Sequence, residues 1–303
     1  MLRAILLYLS TQPTLRRWME TSPMSRTMTK RFIAGLTLDQ ELTVVRRLND
    51  EHILATLDHL GESVKSKEEA DASVASYLVA LDRIADARLK ATISIKLTQF
   101  GLDFGEQQCL DNVRQLACKA KALGNRVEVD MEASQYVDST LRIVHRIHEE
   151  TAAVRAVVQA YLYRTFDDTA ALCDARIPVR LVKGAYKEPS SVAFPKRQEV
   201  DNEFARITHL LLDRGVDPAI ASHDENLIQE TIRYTAQRET AKDSFEFQML
   251  YGIRRDLQNR LVQDGYRLRL YVPYGEAWYP YFMRRLAERP ANVLFLIRNL
   301  VRR

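Results

Sequence analysis

Four polar residues near the C-terminus have a spacing that places them on one face of a helix. Tyr281, Arg284, Arg285 and Glu288 stand at positions i, i+3, i+4 and i+7, which are neighbours on a helical surface. Two adjacent guanidinium groups can bind a small carboxylate through bidentate hydrogen bonds, so this face predicts a carboxylate clamp. The alternative is a solvent face with an Arg284–Glu288 ion pair at i, i+4. The apolar segment Val293–Leu300 favours the clamp, because it can cover the outside of the fold and leave the polar helix for the site.

Two lysines stand at the ends of short strand-like runs. Lys96 ends ISIK and Lys183 ends VRLVK, although lysine is among the residues least often buried. Anion binding, charge pairing and Schiff-base formation are all consistent with these positions. A structural ion pair between Lys96 and Asp130, on the next run, is one alternative. Arg180 lies three residues before Lys183, and the two together could bind cofactor phosphates.

Other runs also end in residues that could hold a heterocycle or a small apolar substrate. Gln159 and Gln248 carry amides that both donate and accept, although each could instead satisfy a loop backbone. His223 and Asp224 follow another run, but a lone His is weak evidence for a metal. No HxH or HExxH motif is present, so we expect no metal site. The tyrosines that could wall a substrate are Tyr186, Tyr271 and Tyr281.

The strand-like runs alternate with stretches long enough for one helix each. Such an alternation, with polar strand ends, is typical of a (β/α)8 TIM-like barrel, in which the strand C-termini converge on the active-site face. A doubly wound fold shows the same alternation, but no GxGxxG follows a strand. The predicted strands are Ile53–Asp58, Thr92–Leu97, Arg126–Met131, Val154–Tyr161, Val179–Lys183, Pro218–Ser222, Ser244–Leu250 and Arg267–Val272.

Helices are also predicted before and after the strands. Residues 1–50 have a helical pattern, with Thr37 as an N-cap and Gln40 at the capping-box position. A helix over Ala277–Glu288 follows the last strand and is expected to lie over the barrel mouth. We therefore divide the chain into an N-terminal helical segment, 1–50, and a barrel domain, 51–303.

Composition excludes several classes of protein. The 303 residues are 46% hydrophobic and 28% charged, as in a soluble globular protein. The 44 basic and 40 acidic residues are interspersed, whereas a nucleic-acid binder more often concentrates basic residues on one face, so we expect no nucleic-acid partner. Cys109, Cys118 and Cys173 are odd in number and lack CxxC spacing, which predicts free thiols in a reducing compartment.

The expected location is cytoplasmic, with peripheral contact at the inner face of a membrane as an option. No apolar run approaches the ~20 residues of a membrane span. Residues 1–30 contain several arginines and one lysine against Glu20 alone. This bias fits an amphipathic helix, and it also fits an organelle transit peptide.

The sequence contains the strings SIKLT, VDMEAS, VQAYLYRT, RLVKGAYKEP, ASHDE, FEFQMLYGIRRD and LRLYVPYGEAWYPYFMRRLAERPANVLF. In content and order these strings resemble the proline dehydrogenase family, in its short, monofunctional bacterial form. The resemblance covers the chain from about Arg31 to the C-terminus. It implies a distorted (β/α)8 barrel that carries FAD and has its last helix over the mouth. It also implies oxidation of L-proline to Δ1-pyrroline-5-carboxylate in proline catabolism, with a quinone as the electron acceptor.

The resemblance further implies roles for individual residues. Arg284 and Arg285 would bind the proline carboxylate, and Glu288 would bind the ribose of FAD. Arg180 would lie near flavin N5, and Lys183 near the pyrophosphate or the ring oxygens. The implied substrate pocket consists of Lys96, Asp130, Tyr186, Leu250, Tyr271 and Tyr281. The other implied FAD contacts are Gln159 at the isoalloxazine ring, Gly184, and Ser222, His223 and Asp224 at the adenosine half.

Three further expectations come from the resemblance. Glu62 would face Arg284 as part of a gate. Lys187 follows GAY where the bifunctional members have an aromatic residue, which is a departure from their pattern. The chain is too short for their aldehyde dehydrogenase domain, so a separate pyrroline-5-carboxylate dehydrogenase is expected.

Two other functions stay open from the residues alone. One is an aldolase or decarboxylase on the same barrel that forms a Schiff base through Lys183 or Lys96. The other is a non-catalytic basic module that binds nucleic acid or an anionic surface. The polar residues at the strand ends disfavour the second, because a binding module does not need them to converge at a barrel mouth.

Overall fold

The computed structural model describes Gln12, Met19 and residues 31–61 and 64–288. For residues 284–288 it describes the helical backbone without the side chains. The segments predicted beyond these ranges lie outside the described residues. Within the described part of the chain, no helix is both long enough and apolar enough to cross a membrane.

The first described helix, α1 (Leu38–Asp50), begins at the predicted N-cap. The hydroxyl of Thr37 accepts a hydrogen bond from Gln40 N at 3.4 Å. The Gln40 side chain accepts from Leu36 N at 2.8 Å, so it does not complete the predicted capping box with Thr37. The apolar face of α1 joins the core that also contains β1 and β8. The division of the chain at residue 50 stays a prediction.

Eight parallel strands close into a barrel in chain order, with β1 paired to both β2 and β8. The strands are β1 (Leu54–His59), β2 (Ala91–Lys96), β3 (Val127–Asp130), β4 (Val154–Gln159), β5 (Val179–Val182), β6 (Ala219–Ala221), β7 (Glu246–Leu250) and β8 (Arg267–Tyr274). The helices that follow them are α2 (Lys67–Asp86), α3 (Glu106–Ala122), α4 (Val137–Thr151), α5 (Thr165–Asp174), α6 (Arg197–Arg214), α7 (Glu225–Gln237), α8 (Arg255–Gln263) and α9 (Trp278–Glu288). The predicted (β/α)8 barrel is confirmed.

Alternation along each strand separates an apolar outer face from a polar inner face. In β2, Ile93 and Ile95 are fully buried in the core between strands and helices, and burial of each stabilises the fold by roughly 1.5–3 kcal/mol. Ser94 and Lys96, which alternate with these isoleucines along β2, form hydrogen bonds to carboxylates of neighbouring strands. Successive strand side chains point to opposite faces, so this polar face lines the barrel interior.

Charged side chains fill much of the interior, which the sequence analysis did not predict. Barrel interiors are usually filled by layers of branched apolar residues. Here Arg155 is fully buried between Glu246, at 2.6 Å, and Glu128, at 3.2 Å. Arg269 donates to Glu246 at 2.9 Å. Buried charges persist only when paired and hydrogen-bonded, and each of these has at least one partner of opposite sign.

A second, smaller apolar cluster lies at the C-terminal ends of β1 and β7. It contains Phe32, Leu60 and Phe282, with Leu250 packed against it. The rings of Phe32 and Phe282 meet edge to face, with centroids 6.0 Å apart, a favourable aromatic geometry. The start of α9 is thereby anchored at the face where the strands end, as predicted for the final helix.

Candidate active site

Lys96 and Asp130 lie side by side because β2 and β3 pair in the register that places one opposite the other. Lys96 Nζ is 3.7 Å from Asp130 Oδ2 and 3.0 Å from Asp58 Oδ1. It also donates to the Tyr271 hydroxyl at 3.4 Å, and this hydroxyl donates to Asp130 Oδ2 at 2.8 Å. We refer to Asp58, Lys96, Asp130 and Tyr271 as the mouth cluster. It confirms the Lys96–Asp130 ion pair considered as an alternative above and adds Asp58, which sequence analysis had not selected.

The electrostatics of the mouth cluster follow from its burial. Burial raises the pKa of Asp58, against the opposing effect of the Lys96 charge, and Asp130 raises it further. Burial, followed by the charges of Asp130 and Asp58, raises the pKa of Tyr271 well above its ordinary value. The phenol therefore stays protonated and serves as a hydrogen-bond donor.

Arg180 lies below the mouth cluster and contacts it directly. It pairs with Asp130 Oδ1, and its Cζ is 5.4 Å from the centre of the Tyr271 ring. It also donates to Glu128 Oε2 at 2.9 Å and to Gln248 Oε1 at 3.3 Å. Its Nε is buried without a hydrogen-bond partner among the described residues. Arg180 thus pairs with carboxylates of the barrel interior, whereas Lys183 pairs with a different set of carboxylates, Asp201 and Asp224.

A second ion cluster, Lys183, Arg197, Asp201 and Asp224, lies beyond the ends of β5 and β6. Lys183 Nζ pairs with Asp201 and is 3.0 Å from Asp224 Oδ2. The exposed Arg197 donates to Asp224 Oδ2 at 2.9 Å. Burial disfavours the ionised form of Asp224, but the bond and charge of Lys183 outweigh it, so its pKa is lowered. Arg197 and Asp201 were not selected from the sequence, because both stand in α6 rather than at a strand end.

The residues after β6 form a short loop that leads into α7. Ser222 Oγ accepts a hydrogen bond from Asp224 N at 3.1 Å. Asp224 also caps α7 by accepting from Asn226 N at 3.2 Å. His223 Nε2 accepts from Leu250 N at 2.8 Å, which ties this loop to the end of β7. Since it accepts there, this nitrogen carries no proton.

Gln159 and Gly184 each make a close contact that limits which residue can stand at that position. Gln159 Nε2 donates to Glu132 O at 2.8 Å, so its amide holds a loop backbone, which was the structural alternative. Gly184 has φ of +110°, and a Cβ there would stand 2.1 Å from the ring of Tyr161. Only glycine fits, because other residues rarely adopt this conformation and the ring leaves no room.

The remaining predicted residues differ in their exposure to solvent, and some lie outside the described residues. Tyr186 is exposed on the loop after β5, Leu250 is half-buried at the end of β7, and Tyr281 is buried in α9. The helical backbone of α9 runs through Glu288, which confirms the helix that gives Tyr281, Arg284, Arg285 and Glu288 a common face. The side chains of Arg284, Arg285 and Glu288, and the whole of Glu62, lie outside the described residues.

Cysteines and metal-ligating residues offer no competing site in the described ranges. Cys109, Cys118 and Cys173 are free thiols, as predicted. Residues 31–61 and 64–283 contain no group of three His, Cys, Asp or Glu side chains arranged to hold a metal ion.

A closed (β/α)8 barrel with charged and aromatic side chains gathered at its strand C-termini defines an enzyme of the TIM-barrel class. The family model described as proline dehydrogenase matches residues 42–298. Proline dehydrogenase 1 of Bacillus subtilis strain 168 is 39% identical over 303 residues, which is 100% of both chains. Proline dehydrogenase of Deinococcus radiodurans is 39% identical over 280 residues, 91% of this chain and 90% of its own. The chain belongs to the proline dehydrogenase family.

A solved structure gives the same result for the fold. Proline utilization A (PutA) from Bdellovibrio bacteriovorus, inactivated by N-propargylglycine, superposes with a TM-score of 0.82 at 27% identity. The match covers 87% of this chain and 33% of that chain. The barrel of this protein thus matches about one third of the longer PutA polypeptide.

Proposed function

We propose that this protein is an FAD-dependent proline dehydrogenase that oxidises L-proline to Δ1-pyrroline-5-carboxylate. The observation that carries the proposal is the mouth cluster with Arg180 against it, in a chain of this family. A zwitterionic imino acid needs cations for its carboxylate and an anion for its nitrogen. Lys96, Asp130 and Arg180 supply both signs within one site.

The carboxylate of proline would be held by α9 and β2. Arg284 and Arg285 share a helix face with Tyr281 and would bind the two carboxylate oxygens, with Lys96 beside them. The Lys96 ammonium is fixed by Asp58 at 3.0 Å, so it is positioned before substrate binds. Such preorganisation reduces the entropy lost on forming a reactive geometry.

The donor set fits an anionic dinucleotide such as FAD. Lys183 and Arg197 are cations that pair with Asp201 and Asp224 and could bind cofactor phosphates. Gly184 lies next to Lys183, and its backbone lies against the Tyr161 ring. The buried Nε of Arg180 offers a donor near the mouth cluster. Gln159, Ser222, His223 and Glu288 would contribute further contacts.

The reaction removes a hydride from the ring carbon that lies next to the nitrogen and does not carry the carboxylate, and the ammonium of the zwitterion gives up its two protons to solvent, leaving a C=N bond. FAD, when bound, supplies the two-electron acceptor. Asp130 provides the negative charge that binds the substrate nitrogen, and Tyr271 keeps that carboxylate oriented at 2.8 Å. Tyr186, Leu250 and Tyr281 would exclude water around the ring. Arg180 would supply a fixed positive charge towards FAD, an electrostatic contribution of the kind that lowers barriers.

The electrons would pass to a quinone, as part of proline catabolism, with the protein cytoplasmic and in peripheral contact with a membrane. A separate pyrroline-5-carboxylate dehydrogenase would consume the product. No nucleic-acid partner is proposed. The Schiff-base alternative is disfavoured because Lys96 and Lys183 are each held by two carboxylates, whereas such chemistry needs a lysine nitrogen that is available to attack a carbonyl.

One spectrum tests the proposal. The purified protein should show the two visible and near-ultraviolet bands of an oxidised flavin, bleached by L-proline without oxygen. D-proline is the control and should bleach it far more slowly. A protein that remains colourless after incubation with FAD would contradict the proposal, and borohydride trapping of a substrate on Lys96 or Lys183 would favour the Schiff-base enzyme.

A further inference from the structure

Charges of alternating sign form a column through the barrel, from the N-terminal ends of the strands to the mouth cluster. In order, its members are Asp217, Arg155, Glu128, Arg180, Asp130, Lys96 and Asp58. Arg155 and Glu128 are fully buried and Arg180 is nearly so. Leaving one partner of a buried pair alone is strongly destabilising, so the column constrains where each charged group lies.

Arg180 is held from below and from above within this column. One terminal nitrogen, Nη1, donates to Glu128 Oε2 at 2.9 Å and to Gln248 Oε1 at 3.3 Å. The other, Nη2, pairs with Asp130 Oδ1 and donates to Ser94 Oγ at 3.1 Å. Glu128 and Asp130 are its two ion-pair partners among the described residues, and of these only Asp130 belongs to the mouth cluster.

We propose that Glu128 is a positioning residue for Arg180, an inference that rests on the proposed function because it takes Arg180 to lie beside the flavin. Arg180 pairs with two carboxylates, Glu128 and Asp130, so Asp130 does not hold the guanidinium alone. Asp130 also accepts from Tyr271 at 2.8 Å and attracts Lys96 at 3.7 Å, so the position of the guanidinium against Asp130 affects the whole mouth cluster. Without the Glu128 carboxylate, the guanidinium loses one of the two charged partners that fix it, so it can turn against Asp130 and disturb the mouth cluster.

Asp217 provides a matched control at the other end of the column. It binds Arg155 at 2.6 Å, Arg126 at 2.5 Å and Arg267 at 3.0 Å. Asp217→Asn removes one carboxylate charge from the same column without touching Arg180. Asp217 has φ of +43°, and asparagine tolerates positive φ, so the backbone is preserved. Both variants should lose stability, but only Glu128→Gln should alter the site.

A double-mutant cycle in the holoenzyme separates positioning from general structure. Glu128→Gln should lower kcat/KM for L-proline about ten- to a hundredfold, the effect of a lost charged hydrogen bond, and it should shift the flavin midpoint potential. In an Arg180→Met background, the same change should alter kcat/KM by less than about twofold and leave the potential nearly unchanged. Equal effects in both backgrounds, or the same potential shift in Asp217→Asn, would overturn the role of Glu128.

A second variant keeps the test decisive if Glu128→Gln does not fold. Glu128→Gln combined with Arg155→Met removes opposite charges together. It leaves Glu246 with Arg269 at 2.9 Å and Asp217 with Arg126 at 2.5 Å. The cycle with Arg180→Met is then repeated, with the same outcomes for and against. A wild-type protein that binds no FAD overturns the proposed function, whereas additive effects in a flavin-loaded protein overturn only the role of Glu128.

Discussion

The phenol of Tyr271 donates a hydrogen bond to Asp130 Oδ2 at 2.8 Å while its oxygen accepts one from Lys96 at 3.4 Å. Tyr271 therefore joins β8 to β2 and β3 at the mouth of the barrel. Because burial, followed by Asp130 and Asp58, raises the pKa of this phenol well above its ordinary value, it does not titrate near neutral pH. One hydroxyl thus fixes the orientation of the carboxylate that we assign to the substrate nitrogen.

Tyr271→Phe should lower kcat/KM for L-proline about tenfold or more, because a hydrogen bond to a charged group contributes roughly 1.5–3 kcal/mol. Flavin content should be unchanged, since Tyr271 has no assigned FAD contact. Steady-state kinetics and the flavin-to-protein absorbance ratio measure the two quantities. Tyr163→Phe is the control, because this exposed tyrosine loses an equivalent hydroxyl that donates only to Ser190 O at 2.9 Å. Equal kinetics for both variants would remove Tyr271 from the site.

The arginine pair of α9 is tested by Arg284→Met and Arg285→Met. Each should raise the proline KM and lower kcat/KM by roughly one to two decades, since a charge-assisted carboxylate contact contributes about 1.5–3 kcal/mol. Flavin content should stay nearly constant. Tetrahydrofuran-2-carboxylate, a ring carboxylate without the amine, should bind more weakly by a similar factor.

Proline amide separates the clamp from a structural role of the same arginines. It lacks the carboxylate, so the wild type should use it poorly, and the two substitutions should barely reduce its turnover further. If activity on the amide falls as much as activity on proline, the arginines support structure or flavin chemistry and the clamp assignment is wrong.

Lys183→Ala should weaken FAD retention more than it weakens the fold, because Lys183 is a polar group at the proposed cofactor site rather than part of the apolar core. Its loss also leaves Asp201 and Asp224 without the lysine that pairs with both. Flavin fluorescence during titration of the apoprotein gives the FAD dissociation constant. Lys119→Ala is the control, because it removes only a surface ion pair with Asp82 at 2.5 Å, a type of interaction worth little. Equal FAD affinities in both variants contradict the assignment.

The strands and helices could be predicted because each is encoded by a short local sequence pattern, as in β7 and α7.

The interior charges were missed, although VEVD and FEFQ carry a polar residue at every second position. In a parallel barrel covered by helices, the outer face must be apolar, so this alternation could have assigned Glu128 and Glu246 to the interior. The partners of a charged residue could not be predicted in this way, because Asp58 and Lys96 meet only when β1 pairs with β2, and Tyr271 reaches Lys96 only after the barrel closes.

Contacts between distant segments set a second limit on sequence analysis. Asp201 and Arg197 stand in α6, where a carboxylate and a guanidinium suggest ordinary surface residues. They meet Lys183 and Asp224 only because β5 and β6 are neighbours in the barrel. Glu41 was missed for a related reason. It stands one residue before the apolar Leu42 of α1, and its burial depends on the packing of α1 against β1 and β8.

Glu41 gives a prediction about pH. Its side chain is fully buried, and neither carboxylate oxygen has a hydrogen-bond partner among the described residues. Burial, followed by the charge of Asp58, raises its pKa well above the ordinary value. The folded protein therefore keeps a proton on Glu41 at pH values where the unfolded chain has lost it. Between the ordinary carboxyl pKa and the raised one, the free energy of unfolding must fall as pH rises.

Glu41→Gln should flatten this pH dependence, since an amide of nearly the same size never ionises. At pH 8 the variant should be more stable than the wild type, because on folding the wild type must take up a proton or bury a charge on Glu41, whereas the amide does neither. Near pH 3 the difference should largely vanish, because Glu41 is then mostly protonated in both the folded and the unfolded state. Urea unfolding at both pH values measures the two free energies. Glu149→Gln, at an exposed position of α4, should leave the slope unchanged. A Glu41→Gln protein with the wild-type slope would show that Glu41 ionises in the folded state without cost, and that its surroundings are more polar than the described contacts provide.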